Sequence, residues 1–324
     1  MKINMNKIKL STPVNIKKPE ISFPYETIIS GIGSCFAQDI MRHFEELGFS
    51  TTHNPNGIVY NTASIAKSLD HIVNNKKYKP TSFINHNNLW HSWEHHGSFS
   101  ASELPQLKSN IHKASLDFRE KLAESDIFIL TPSSSVVYCL SDPCFISEPV
   151  HFSKIQTEYQ PQTLPPKARN KNRFACITAN CHKYPGKYFT REILSPTDNV
   201  KALSESIKNI RKINSNCLII LTLSPVRHYP GNLTLNAHSK ANLLMAIHQC
   251  VNDFDKVDYF PSYEILLDEL RDYRFFKEDM MHPTDFAKKI IFQRFISTYF
   301  SKECQNTLIQ KERLLKSQRH KLGN

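Results

Sequence analysis

A chain of 324 residues with 40% hydrophobic content is long enough to bury one large core or two modest ones, so a complete enzyme fits within it. The net charge of +11 is scattered along the sequence apart from a basic tail, which argues against the concentrated basic groove with interleaved aromatics that nucleic-acid binding needs. Eight cysteines with no CxxC pair and no compact framework exclude a small disulfide-stapled domain and read as reduced thiols.

Residues 1–22 form a basic N-terminal extension without the apolar stretch of a signal peptide. No later run approaches the about 18 apolar residues of a membrane span, so the chain is placed in the cytoplasm. From there, short apolar runs alternate with amphipathic stretches, the rhythm of a parallel sheet covered by helices. "TIIS" (27–30) reads as the first strand and 35–47 as the first helix; the region Ser50 to His53 and the helix 62–73 follow. "KPTSFINHNNLWHSWEHHGSFS" (79–100) reads as a loop-like insert rich in His and aromatic residues, ahead of a helix at 108–124. "DIFILT" (126–131) is the third strand. A long insertion (139–195), with the Pro-rich "QPQTLPPKARNKNR", then separates it from a helix at 196–212 and the fourth strand "CLIILTL" (217–223), and is expected to cover the C-terminal edge of the sheet. A helix at 237–253, a fifth strand "VDYF" (257–260) and a helix at 284–299 complete five βα units within a domain spanning 23–300. Residues 301–324 read as a basic polar tail appended to that domain.

Ser34 falls at the bend from the first strand to the first helix, where Gly31 and Gly33 permit positive φ and close backbone approach. A side-chain oxygen there lies beside the unpaired N–H groups of a helix N-terminus, which stabilise developing negative charge. The same position also suits a serine that merely caps the helix. Asp279 and His282, in "FFKEDMMHPTDFAKK", stand three apart before a Pro that opens the last helix, so the carboxylate can orient the imidazole. Serine, aspartate and histidine together make the parts of a nucleophile, base and orienting group.

This combination resembles the SGNH (GDSL-like) esterase and acyltransferase superfamily. The stretches "GSCFA" (33–37), "NPNGIVYN" (54–61), "ANCHK" (179–183), "SPVRH" (224–228), "SKA" (239–241), "FPSYEI" (260–265), "DELRDYRF" (268–275) and "DMMHP" (279–283) narrow the resemblance to the GSCFA family. It implies a flavodoxin-like, three-layer α/β/α sandwich with a mostly parallel five-stranded sheet and loop-rich insertions. It further implies Ser34 as nucleophile, His282 as general base and then acid, and Asp279 as its partner, working through an acyl-serine with no metal or other cofactor. The expected substrate is a small-molecule or glycan oxygen ester carrying acetate or another short acyl group. By the same resemblance the oxyanion hole draws on Ser34 N–H, Gly57 N–H and an asparagine amide. In SGNH enzymes that asparagine follows the third strand, but this sequence reads "TPSSSVVY" there, with Ser133 in place of the expected glycine, so Asn180 of "ANCHK" is the candidate. A turn-capping role for Asn180 stands equally open.

Cys35 is a second conceivable nucleophile at the same bend. Adjacent residues entering a helix point about 100° apart, so only one of the two faces the site. The triad order favours Ser34 and leaves Cys35 a buried structural part. "HSWEHH" (91–96) contains an H-x-x-E-H pattern, but the helix that would set metal-ligand geometry is missing from its flanks. His91 and Trp93 are instead expected to line a polar, aromatic wall over the pocket. Arg227 and His228, directly after the fourth strand, emerge on the same sheet edge as candidate substrate contacts, while Lys240 and Arg271 are weighted toward structure. The rival reading is a catalytically silent ligand-binding protein on the same scaffold.

Overall fold

The computed structural model describes residues 11–140, 173–228 and 232–322. β1 (Ile28–Gly33) leads into α1 (Cys35–Glu46), whose buried Phe36, Ile40, Met41 and Phe44 recur at helical spacing. β2 (Ser50–His53) is followed by α2 (Thr62–Val73), capped by the Asn61 side chain accepting from Ser64 N–H at 2.8 Å. The expected loop at 79–100 is in fact an antiparallel hairpin, β3 (Phe83–His86) and β4 (Leu89–Ser92). Its turn residues Asn87 and Asn88 take φ of 52° and 61°, the left-handed pair that matches strand twist in a two-residue hairpin.

α3 (Leu104–Glu124) starts earlier than its apolar pattern suggests, because Pro105 fits the first turn of a helix. β5 (Ile127–Thr131) and β6 (Val136–Leu140) come next, and β6 pairs antiparallel with both β7 (Ile177–Thr178) and β8 (Phe189–Ile193). The described part of the long insertion is thus a small sheet of its own. The Pro-rich stretch, apart from its last residue, lies outside the described residues, as do residues 1–10.

α4 (Pro196–Ile213) opens on a capping box between Ser195 and Asp198. β9 (Leu218–Thr222), α5 (Leu233–Asp253) and β10 (Val257–Phe260) follow. A short helix, α6 (Ser262–Glu264), runs on into a wider helical turn at Ile265–Leu270. The chain closes with α7 (Asp285–Tyr299) and α8 (Lys302–Leu322).

Five strands form one parallel sheet in the order β2-β1-β5-β9-β10, the flavodoxin-like doubly wound order. Alternate strand residues face opposite layers. Ile29, Ile127, Ile129 and Ile220 pack under α1, α7 and α8, while Ile32, Phe128, Leu130, Ile219 and Leu221 pack under α2, α3, α4 and α5. A site in such a sheet opens beyond the carboxyl ends of the strands where the order reverses, here at β1 and β5.

Neither end of the chain is wholly an appendage. Cys304 and Leu308 of α8 are buried in the first core layer, because this face of α8 carries the apolar residues that its overall polarity masks. Val14 is tied down on both sides, its N–H donating to Glu269 Oε2 at 2.8 Å and its carbonyl accepting from Arg294. Among the described residues, no helix is long and apolar enough to cross a membrane.

Candidate active site

Gly33 ends β1 opposite Thr131 of β5. Its φ is +156°, and a Cβ there would lie 2.3 Å from the Thr131 carbonyl oxygen, so the two strands approach this closely only over a glycine. Ser34 N–H then donates to Thr131 O at 3.2 Å, and α1 begins at the next residue. Asn54 clamps the bend from the β2 side: its N–H donates to Gly31 O at 3.0 Å and its Oδ1 accepts from Gly33 N–H at 2.8 Å. Gly31 itself sits within β1 without a positive φ, so only one of the two glycines is needed for the turn.

Ser34 is 0% exposed, and its buried Oγ has no hydrogen-bond partner. It occupies the N-cap position of α1 without capping it, and the expected hydrogen bond to His282 is not formed. Two more buried polar atoms at this bend, Asn54 Nδ2 and Thr131 Oγ1, are also without partners. Cys35, by contrast, is only partly buried.

Asp279 and His282 do come together. His282 Nδ1 lies 2.7 Å from Asp279 Oδ2, while Asp279 Oδ1 accepts the backbone N–H groups of Met281 at 2.8 Å and His282 at 2.9 Å. Those backbone bonds, with the imidazole bond adding to them, hold the Asp279 carboxyl down to about 2. The carboxylate therefore stays ionised near neutral pH and fixes the Nδ1–H tautomer, leaving the lone pair on Nε2. Met280 takes a φ of 56° to make the turn, and the turn is joined to the loop after β9 by Arg227 N–H donating to Met281 O at 3.1 Å.

That junction brings a second group to the same sheet edge. His228 Nε2 is hydrogen-bonded to Ser133 Oγ, its ring packs edge-on against Tyr60 at 5.1 Å, and its N–H donates to Asn236 Oδ1 at 3.2 Å. Ser133 and Ser134 N–H groups both donate to Tyr60 O, at 2.8 and 3.1 Å. Beneath them Lys240 is fully buried and donates to Ser133 O at 2.7 Å and Ser224 O at 2.6 Å. Burial pushes Lys240 down to about 7, and burial with the Lys240 and His282 charges pushes His228 down to about 3, so His228 is neutral at working pH.

A family model described as the GSCFA family matches residues 28–152 and 168–295. The chain belongs to the GSCFA family. No curated protein matches its sequence. Among solved structures, this GSCFA chain is similar to a Clostridium thermocellum family 3 carbohydrate esterase, at 12% identity and a TM-score of 0.32 over 84% of this chain and 94% of that one. It is also similar to an acetyl xylan esterase, Est2A, from the rumen bacterium Butyrivibrio proteoclasticus, at 12% identity and a TM-score of 0.36 over 84% of this chain and 63% of that one.

Other expected parts of the GSCFA site are placed differently. Gly57 has a φ of +72° and donates its N–H to Asn54 O at 2.7 Å, closing a tight turn; a Cβ on it would meet His96 Cβ at 2.4 Å. Asn180 uses its Oδ1 to accept His182 N–H at 2.8 Å, a turn-capping bond that does not engage the amide nitrogen expected of an oxyanion donor. Trp93 is buried against Tyr184 and Phe189, and His91 is buried with Nδ1 on Ser100 Oγ and Nε2 on the His86 carbonyl. The hairpin and the 180s segment thus share a small core, because the ring faces that an exposed loop would present are taken up by one another. Glu94 is turned to Lys67, and His95 bonds Ser92 Oγ at 2.8 Å, so the "HSWEHH" side chains do not converge.

Arg227 lays its guanidinium 4.1 Å from the Phe276 ring centroid, beside the cavity formed with Leu266, Leu267, Arg271, Asp272 and Tyr273. Arg271 closes the helical turn there with a φ of 38°. Tyr60 was not among the expected site residues. It lies within the stretch "NPNGIVYN", but its part follows from the tertiary hydrogen bonds that tie its carbonyl to Ser133 and Ser134 after β5.

Proposed function

We propose that this GSCFA protein cleaves or transfers the acyl group of an oxygen ester through a covalent intermediate formed at the Ser34–Cys35 bend. His282 acts as general base and then general acid, and Asp279 orients it. Support comes chiefly from the Asp279–His282 pair: an ionised carboxylate with two backbone anchors, 2.7 Å from an imidazole whose other nitrogen is left as a base. A purely binding scaffold has no chemical use for that arrangement.

In the first step the nucleophile gives its proton to His282 Nε2 and attacks the carbonyl carbon. Collapse of the tetrahedral intermediate breaks the carbon–oxygen bond, and the departing alkoxide takes the proton from His282. Water or an acceptor hydroxyl then repeats the sequence on the acyl-enzyme. The N–H groups at the start of α1 serve as donors for the oxyanion. Ser34 N–H is already engaged with Thr131 O and Gly57 N–H with Asn54 O, so the use of either requires that bond to be shared. No step calls for a metal. A short acyl group on a carbohydrate-like carrier rests on the resemblance to SGNH esterases alone, and the cytoplasmic placement on the sequence patterns of the N-terminal extension, the apolar runs and the cysteines.

The test is hydrolysis of p-nitrophenyl acetate and of acetylated sugars by wild type, His282→Ala and Asp279→Asn. The expected loss is on the order of 10³-fold or more for each variant, as for other base and orienting residues. Wild-type turnover no faster than buffer, or a His282→Ala variant within tenfold of wild type, favours the ligand-binding alternative.

A further inference from the structure

The bend offers two nucleophiles, and their surroundings differ. Ser34 has no accessible surface, and its buried Oγ has no hydrogen-bond partner. A substrate carbonyl reaches an oxygen in that position only after the atoms that cover it move aside. Cys35 is the first residue of α1, turned about 100° away and only partly buried.

The first residue of α1 emerges at the same carboxyl edge of the sheet as the loops that carry His228 and His282. Burial and then a negative charge at Cys35 push the Tyr60 phenol up, and the same charge opposes the burial that pushes Lys240 down. Tyr60 packs on His228, His228 senses His282, and the backbones of the two His-bearing loops are hydrogen-bonded. From Tyr60 to the base the path therefore runs through neighbouring residues at one sheet edge.

We infer that Cys35, rather than Ser34, carries the acyl group as a thioester. This rests on the acyl-transfer reading above and names its nucleophile. Sγ–H gives its proton to His282 Nε2, the C–S bond forms as the ester C–O bond breaks, and the alkoxide leaves with that proton. A water or acceptor hydroxyl then cleaves the C–S bond, with His282 returning a proton to sulfur. The environment fits a thiol that stays neutral until a base removes its proton. Burial and the Asp39 carboxylate push Cys35 up, while the Phe36 N–H and its own N–H pull the other way and wait to receive negative charge.

The experiment uses the full chain with p-nitrophenyl acetate, comparing wild type, Cys35→Ala, Cys35→Ser and His282→Ala. Each is checked for native circular dichroism, and turnover is read alongside acid-quenched mass mapping. The expected result is one acetyl group on Cys35, removed by neutral hydroxylamine as a thioester is and absent from His282→Ala. Turnover should fall on the order of 10³-fold in Cys35→Ala. His282-dependent turnover retained within threefold in both Cys35 variants, or an acetyl group mapped to Ser34, overturns the thiol assignment and leaves acyl transfer standing. Wild type without turnover, or with acetylation that His282→Ala leaves unchanged, overturns both.

Discussion

Gly33→Ala tests whether the bend is set by the sheet. The new Cβ would stand 2.3 Å from the Thr131 carbonyl oxygen, and ordinary contact begins at 3.4 Å, so β1 and β5 must part by about 1 Å or the carbonyl must rotate. Backbone strain at a φ of this kind costs about 1–3 kcal/mol, overpacking a close junction about 1–3 kcal/mol, and loss of the Ser34–Thr131 hydrogen bond about 1 kcal/mol. The total, about 3–7 kcal/mol, is a large share of the about 5–15 kcal/mol that holds a typical domain together. Gly186→Ala is the internal control, since nothing lies within 4 Å of its would-be Cβ and its φ is not positive. Urea unfolding followed by circular dichroism, with the slope compared between variants, reads both. A Gly33→Ala midpoint indistinguishable from wild type, or an equal loss in Gly186→Ala, refutes this account of the bend.

Lys240 is held down to about 7 by burial, against about 10.4 in an unfolded chain. Between those values the unfolded state binds a proton that the folded state lacks, so stability rises with pH across the window, by up to about 1.4 kcal/mol per unit. Lys240→Met should flatten that rise, measured by urea titrations at pH 7, 8 and 9. Lys67→Met strands the buried Glu94 carboxylate and should cost about 3–5 kcal/mol, while Lys67→Met with Glu94→Gln recovers much of it; denaturation of both variants decides. Leu69→Ala, at a fully buried position of α2, should cost about 2–5 kcal/mol without altering the ratio of acyl-enzyme formation to breakdown.

The five strands were legible because runs such as "DIFILT" and "CLIILTL" are apolar on both faces, as strands covered by two helical layers must be. Asp279 and His282 were legible because a local turn sets their geometry and their spacing fixes the turn. The hairpin was not, since its strands carry His, Asn and Trp; the Asn-Asn pair at 87–88 was its available signal. Nor does the sequence show which of Ser34 and Cys35 faces the cleft. That depends on the rotation with which β1 enters α1, set by Gly33 against Thr131 and by Asn54, which are distant in sequence. His91 and Trp93 looked like pocket residues by composition, and only the segment returning from 173 onward shows them to be its core.

The stitching of the two chain ends bears on how the protein is made. Phe23 N–H donates to Tyr299 O at 2.8 Å and Ser301 N–H returns to Phe23 O at 2.9 Å, while Arg294 holds Val14 across 280 positions of sequence. Phe44 and Phe49, near the start, find Phe292, Phe295 and Phe300 only near the finish. A ribosome-bound chain that lacks α7 and α8 thus has only α1 to cover one face of its sheet, and closing so long a loop is slow. Until those two helices are made, that aromatic face is a surface for a chaperone to guard.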